Sequence, residues 1–318
     1  MERQHEDRLL DSFLPIQIRS FHTMPVRLSV LLALLCLLAA PAHADPISTD
    51  PDPTEPPPSM ASVRIPSGDA RLNGIVYLPG GPGPHPVAVL LHGLPGDERN
   101  LDLAHVLRRD GWAVVFFHYR GAWGSPGDFG FAHVLEDVAA VVDWSREKET
   151  RERFRLNDAA RTLVGHSMGG FAALTVGSEH DDVGCIASLS GTNMSLIARA
   201  LDGDAPLRDT FVRSFDGLVE GPLAGTGGEE LVAELEQNVE AWDLEQRVTA
   251  LLAHRLLLVA GTKDRVAPPE RHHDPLLAAL VRAEADVVSV VLEDDHAYSG
   301  SRVALAREVA NWLARGCR

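Results

Sequence analysis

The sequence predicts an α/β protein: a mostly parallel sheet with helices on both faces and a helical cap insertion. Three observations carry that prediction. Short unbroken apolar runs such as Val87–Leu91 (VAVLL) and Trp112–Phe117 (WAVVFF) read as strands covered on both sides. Stretches with helical spacing fall between such runs, so strand and helix alternate along the chain. A Gly-x-Ser-x-Gly string, Gly165-His166-Ser167-Met168-Gly169, sits where one apolar run ends and a helical one begins. With 318 residues, 45% of them hydrophobic and 23% charged, the chain can bury a sizeable core.

The elements follow from the N-terminus. Residues 24–44 hold Arg27, an apolar run from Val30 to Ala40, and then Ala42-His43-Ala44. A cation, an apolar stretch and a small-x-small site in that order make a cleavable export signal, so the mature chain is expected in the periplasm or outside the cell. The run is shorter than the roughly 20 residues that span a bilayer, which favours cleavage after Ala44 over a retained anchor. Glu2, Glu6, Asp7 and Asp11 suit no such signal, and a start at Met24 accounts for them most simply. Cys36 follows Leu-Leu and not a small residue, so no lipid anchor is expected there.

Residues 45–60, rich in Pro, read as a disordered linker before a domain spanning 61–318. Strands are expected near Ala61–Ile65 and Arg71–Leu78, joined by the turn residues Pro66-Ser67-Gly68-Asp69. After Val87–Leu91, Leu101–Arg109 has helical spacing and stops at Asp110-Gly111. The strand Trp112–Phe117 and a helix over Val134–Trp144 come next. Ala160–Val164 leads into the Gly-x-Ser-x-Gly string, and Phe171–Gly177 continues as helix. Val183–Leu189, Arg255–Val259 and Val287–Leu292 supply further strands, and Arg302–Leu313 a final helix. From Gly191 to about Leu251 no strand signal appears. Helical patterns such as Glu229–Val239, broken by Gly221-Pro222 and Gly225 to Gly228, mark this stretch as a cap inserted over the sheet edge.

A net charge of −16 argues against nucleic-acid partners, which need Lys and Arg concentrated at phosphates. Beyond the export signal the chain keeps Cys185 and Cys317. Cys185 lies in the apolar run GCIASLS and reads as a buried core thiol, with a disulfide to Cys317 as the alternative. His272-His273-Asp274 lacks a third ligand and the geometry for a metal, so neither a metal nor a cofactor is expected.

The chemistry gathers at strand ends. Strand, sharp turn and helix around Ser167 form the setting that lifts a serine hydroxyl above a sheet edge. Gly165 and Gly169 are needed because side chains on the neighbouring backbone would collide. A serine hydroxyl needs a base, and the base needs an orienting acid. In the chain order serine, acid, histidine, Asp264 follows the strand ending in Val259 and His296 follows the strand ending in Leu292. Asp294 and Asp295 compete with Asp264 for the orienting role but adjoin His296 in sequence. Two backbone donors should face an oxyanion: Met168 N–H after the serine, and Leu94 N–H in the loop His92-Gly93-Leu94-Pro95-Gly96. Pro95 has no N–H. His92 is read as bracing that loop, and Arg120, in the loop Tyr119 to Gly127, as holding carboxylates or carbonyls in place.

Together the segments HGLPG, YRGAWGSPG, GHSMGG, GTKD and DDHAYS resemble the α/β-hydrolase superfamily. They are similar in particular to bacterial serine hydrolases of the dienelactone-hydrolase-like group and to the catalytic domains of prolyl-oligopeptidase-type peptidases. The resemblance spans roughly residues 62–313 and implies an α/β-hydrolase fold. It also implies Ser167 as nucleophile, Asp264 as acid, His296 as base, Leu94 and Met168 as oxyanion donors, and the insertion as a substrate-covering cap. Position 167 is Ser, where true dienelactone hydrolases carry Cys. A secreted serine esterase acting on a small ester is the leading expectation. The alternatives are an amidase acting on short peptides and a non-catalytic binding module on the same scaffold. The cap acids Asp202, Asp204 and Glu220 form no recognisable clamp for an amino terminus.

Overall fold

The structure, a computed structural model, describes residues 45–219 and 221–317. The expected leader and its preceding extension lie outside them. Eight strands form one sheet in the order β1-β2-β4-β3-β5-β6-β7-β8. They are β1 (Ser59–Ser67), β2 (Ala70–Leu78), β3 (Val87–Leu91), β4 (Ala113–Phe117), β5 (Arg161–His166), β6 (Val183–Leu189), β7 (Arg255–Gly261) and β8 (Val287–Leu292). β1 and β2 form an antiparallel hairpin, β2 runs antiparallel to β4, and every pair from β4 to β8 is parallel.

Alternating residues of the central strands supply two cores. Val89, Val115, Phe117 and Leu163 face one way, toward helices α2 (Phe131–Arg146) and α4 (Met168–Gly177). Ala88, Leu90, Val114, Phe116 and Val164 face the other, toward α1 (Leu101–Arg109) and α11 (Arg302–Ala314). Burial on both faces is why these strands read as unbroken apolar runs. The outer strand β8 is apolar but only half covered, with Val288 and Val291 exposed.

Helices α3 (Lys148–Phe154), α5 (Met194–Leu201), α6 (Ala205–Val219) and α10 (Asp274–Arg282) have no range among the sequence-based assignments, nor do the two short helices that follow. Helix α7 (Gly228–Gln237) is the one anticipated in the insertion, with α8 (Val248–Leu251) closing it and α9 (Pro269–His272) following β7. The insertion packs its apolar residues onto the body. Phe215 and Trp242 meet Phe131 of α2 edge-on at 5.9 and 6.2 Å, and Trp242 also meets Phe171 of α4 at 5.8 Å. Between α6 and α7, Trp123 N–H donates to Pro222 O, and Ala224 N–H donates to Gly121 O. The insertion is thereby seated on the loop that follows β4, at the C-terminal ends of the strands.

Two expectations change. The stretch before β1 is not an unpacked spacer: Ile47 packs against the core on the α1 side, and Arg109 donates through Nε to Pro46 O at 2.5 Å. Cys185 is not a free thiol either. It is joined to Cys317, with the two Cα atoms 5.9 Å apart, so the end of α11 is tied to β6. The apolar run around Cys185 signals burial, and burial alone does not distinguish a thiol from half of a disulfide.

Candidate active site

Ser167 stands between β5 and α4 with φ 56° and ψ −120°, a strained conformation for a residue with a side chain. Backbone hydrogen bonds hold it there: Ser167 N–H donates to Leu189 O at the end of β6, and Thr192 N–H donates to Ser167 O. Crowding dictates the two flanking glycines. A Cβ on Gly165 would meet Gly169 O at 1.9 Å, and one on Gly169 would meet Leu91 O at 2.3 Å. Gly170 is constrained in the same way, its Cβ position lying 2.6 Å from Ser188 Oγ.

Asp264 lies in the turn after β7 and His296 in the loop after β8, as their positions in the sequence imply. His296 Nδ1–H donates to Asp264 Oδ2 at 2.7 Å. The other Asp264 oxygen accepts the N–H groups of Val266 and Ala267, both at 2.8 Å. Burial by itself would raise this carboxyl. The bonds from His296 and from the two amides outweigh burial and hold it below the ordinary carboxylate value. The acid is therefore ionised and fixed, and it selects the imidazole tautomer with a free lone pair on Nε2. Among the described residues, the side-chain hydrogen bond of His296 goes to Asp264 and not to Ser167. Such a link commonly closes only when substrate is bound.

Asp294 and Asp295, the competing acids, are used inside their own loop. Asp294 accepts from Gly300 N–H and the Ser301 hydroxyl, and Asp295 accepts from Ala297 and Ser299 N–H groups. They shape the turn that carries His296 and do not orient its ring. Tyr298 pins the same loop from below. It is fully buried, its hydroxyl donates to Val259 O at 3.0 Å, and it accepts from Ser190 Oγ at 2.8 Å.

The loop after β3 lies directly on the serine: a Cβ on Gly93 would stand 2.8 Å from Ser167 Cβ. His92 Nδ1–H donates to Gly93 O at 2.7 Å, and Tyr119 OH donates to His92 O at 3.1 Å. Complete burial pushes His92 down to about 3, so it is neutral and accepts at Nε2 from His118 Nδ1–H at 3.3 Å. This is the bracing role expected of it. Gly93 O and Leu94 N–H belong to one planar trans peptide and point in opposite directions, so fixing the carbonyl also aims the N–H. Trp123 Nε1–H steadies the Pro95–Gly96 peptide of the same loop by donating to Pro95 O at 2.8 Å. Met168 N–H, in the first turn of α4, has no partner within the helix. The loop carrying Leu94 and the first turn of α4 carrying Met168 both adjoin Ser167.

Arg120 is structural. Buried, it donates to Asp137 Oδ1 at 2.8 Å and to Ser67 Oγ at 3.0 Å, joining the hairpin turn, the loop after β4 and α2. His272 accepts Asn193 N–H at 3.1 Å, and His273 is hydrogen-bonded to Ser289 Oγ. Among the described residues no three His, Cys, Asp or Glu side chains are placed to hold a metal ion, and no helix is long and apolar enough to cross a membrane. Three contributors escaped the sequence reading: Tyr298, Trp123 and His166. Each lies inside a segment already singled out, but only the folded chain brings its partner alongside.

The strained Ser167, Asp264 and the His296 bonded to it all lie on turns and loops that follow parallel strands of one α/β sheet. Residues 88–308 match the Alpha/beta hydrolase family, and the chain belongs to it. The fold is similar to that of the Pyrococcus furiosus esterase Pf2001, with TM-score 0.59 and 16% identity over 81% of this chain and 90% of that one. It is also similar to Est1E from Butyrivibrio proteoclasticus with ferulic acid bound, with TM-score 0.62 and 19% identity over 80% and 99% of the two chains. A third similar structure is the Pyrococcus horikoshii acylaminoacyl peptidase, with TM-score 0.60 and 16% identity over 81% of this chain and 41% of the peptidase. At these identities the likeness establishes the fold. No curated protein matches the sequence.

Proposed function

We propose that this hydrolase cleaves carboxylic esters through an acyl-enzyme, with Ser167 as nucleophile, His296 as base and Asp264 as orienting acid. The observation that carries the reading is the 2.7 Å bond from His296 Nδ1 to a buried, doubly amide-bonded Asp264, in the loop that adjoins the strained serine. As Ser167 Oγ bonds to the substrate carbonyl carbon, its proton passes to His296 Nε2. The carbonyl oxygen takes up the negative charge between Leu94 N–H and Met168 N–H. When the tetrahedral species collapses, the C–O bond to the leaving alcohol breaks and His296 protonates that oxygen. Water then repeats the sequence, losing its proton to His296, and the acid is released from Ser167. Asp264 stays ionised and stabilises the imidazolium throughout.

Substrates are small esters, with short peptides as the second class. Cysteine pairing between Cys185 and Cys317 supports an exported, oxidised mature chain beginning after Ala44. The test is a matched pair of kcat/KM values on a chromogenic ester and amide sharing one acyl group, with Ser167→Ala as control. Ester turnover far above amide turnover, lost by at least about 10³-fold in the control with an unchanged circular dichroism spectrum, is expected. An active Ser167→Ala variant would remove the mechanism, and equal amide cleavage would make the protein a peptidase.

A further inference from the structure

His166 precedes the serine and ends β5. It is 4% exposed, and its Nε2 lies 2.8 Å from the backbone carbonyl oxygen of His296. A carbonyl can only accept, so the ring carries its hydrogen on Nε2. Nδ1 is buried with no partner, and protonating it would bury an N–H with no acceptor. The two imidazoles stand 4.8 Å apart, tilted by 50°. Besides His296, the charged or titratable groups around His166 are Arg302, Asp264 and His92. Burial, and after it the proximity of His296, brings His166 down to about 4 and keeps it neutral.

We propose that His166 is a positioning residue that fixes the base relative to the nucleophile by donating to the His296 main chain. This rests on the mechanism proposed above. Asp264 holds the imidazole only at Nδ1, and Tyr298 pins the loop two residues further on. The His166 bond secures the backbone of His296 itself. Because Ser167 is the next residue in the chain, a single donor sets the gap between Oγ and Nε2. That gap must close to about 2.6–3.2 Å for proton transfer. A neutral ring suits the task. It adds no charge beside the imidazolium that forms in each turnover, and it does not compete for the proton.

The test compares His166→Leu with His166→Gln, whose side-chain amide reaches about as far as Nε2 and also donates. His166→Leu should lower kcat by about 10- to 100-fold with KM within about twofold, and should slow fluorophosphonate labelling of Ser167 by a similar factor. His166→Gln should recover to within about fivefold of wild type. Wild-type kcat in the Leu variant, or equal losses in two folded variants, would overturn the proposal. A second readout needs no variant and no turnover. In ¹⁵N-histidine-labelled wild type, His166 should be the Nε2–H tautomer and unprotonated down to about pH 5. The opposite tautomer, or protonation near the ordinary histidine value of about 6.5, would also overturn it. A wild type that cleaves neither ester nor amide sinks the proposed function, while the nuclear magnetic resonance result still decides the tie.

Discussion

Asp264 is buried, yet its pKa is lowered and not raised, because three donors converge on it. A carboxyl with a depressed folded value contributes stability above the unfolded value of 3.8, and that stability is lost as pH falls through the folded value. Asp264→Asn keeps the acceptor for Val266 and Ala267 but presents an N–H₂ toward His296, favouring the wrong tautomer. The expected outcome is a loss in kcat of about 10³–10⁴-fold in a variant that stays folded but melts at a somewhat lower temperature. A variant within tenfold of wild type would remove Asp264 from the mechanism. The places of Ser167, Asp264 and His296 just after strands β5, β7 and β8 are legible in the sequence, because an apolar run precedes each. The sequence favours Asp264 over Asp294 and Asp295 because it follows a buried strand and they adjoin His296. The fold settles what each carboxylate touches, since it depends on which loop amides are left free. His166 was invisible for the same reason: its partner is a main-chain carbonyl 130 residues away.

Glu234 of α7 reaches out of the insertion and accepts the first two N–H groups of α2, from Phe131 at 2.7 Å and Ala132 at 2.8 Å. The residue before α2 is Gly130, which has no side chain to offer as a cap, so a carboxylate from another element satisfies both donors and meets the positive end of the helix dipole. Glu234→Ala should lower stability by about 1–2 kcal/mol, and Glu234→Gln by roughly half as much, read from urea midpoints. An unchanged midpoint in the Ala variant would show that the contact contributes nothing. Elements of this kind mark where sequence reading stops. The buried strands β3 and β4 announce themselves by unbroken apolarity. Helix α6 fully buries only Phe215 among its 15 residues, and its other apolar residues, Leu207, Phe211, Val212, Leu218 and Val219, are only partly covered where they pack on the core.

Across the whole molecule, several histidines are buried as neutral bases. Burial brings His92 to about 3, His166 to about 4 and, with Arg99 nearby, His118 to about 4. The unfolded chain binds protons at these positions below about pH 6.5, while the folded chain does not until each folded value is reached. Stability should therefore fall as pH drops from 6.5 toward 4. Each fully buried histidine contributes up to about 1.4 kcal/mol per pH unit to that slope. Chemical denaturation at half-unit intervals checks this, and a flat profile between pH 6 and 4 would contradict it. The Cys185–Cys317 bond closes a loop with a sequence separation of 132 residues. Its loss in Cys185→Ser with Cys317→Ser should cost about 2–4 kcal/mol by chain-entropy reasoning, measured against the oxidised protein.

The insertion leaves the sheet after Leu189 and returns at Arg255, so it occupies the connection between the neighbouring strands β6 and β7. Changes of length or composition there leave the pairing register of the strands untouched. Directed evolution of what the protein accepts can treat residues 194–238 as an exchangeable cassette. Glu234 should be held constant, since it alone in the cassette caps α2, and so should the segment from Pro222 to Ala224 that meets the loop after β4. A combinatorial library built this way varies the insertion at the C-terminal ends of the strands while each member keeps Ser167, Asp264 and His296.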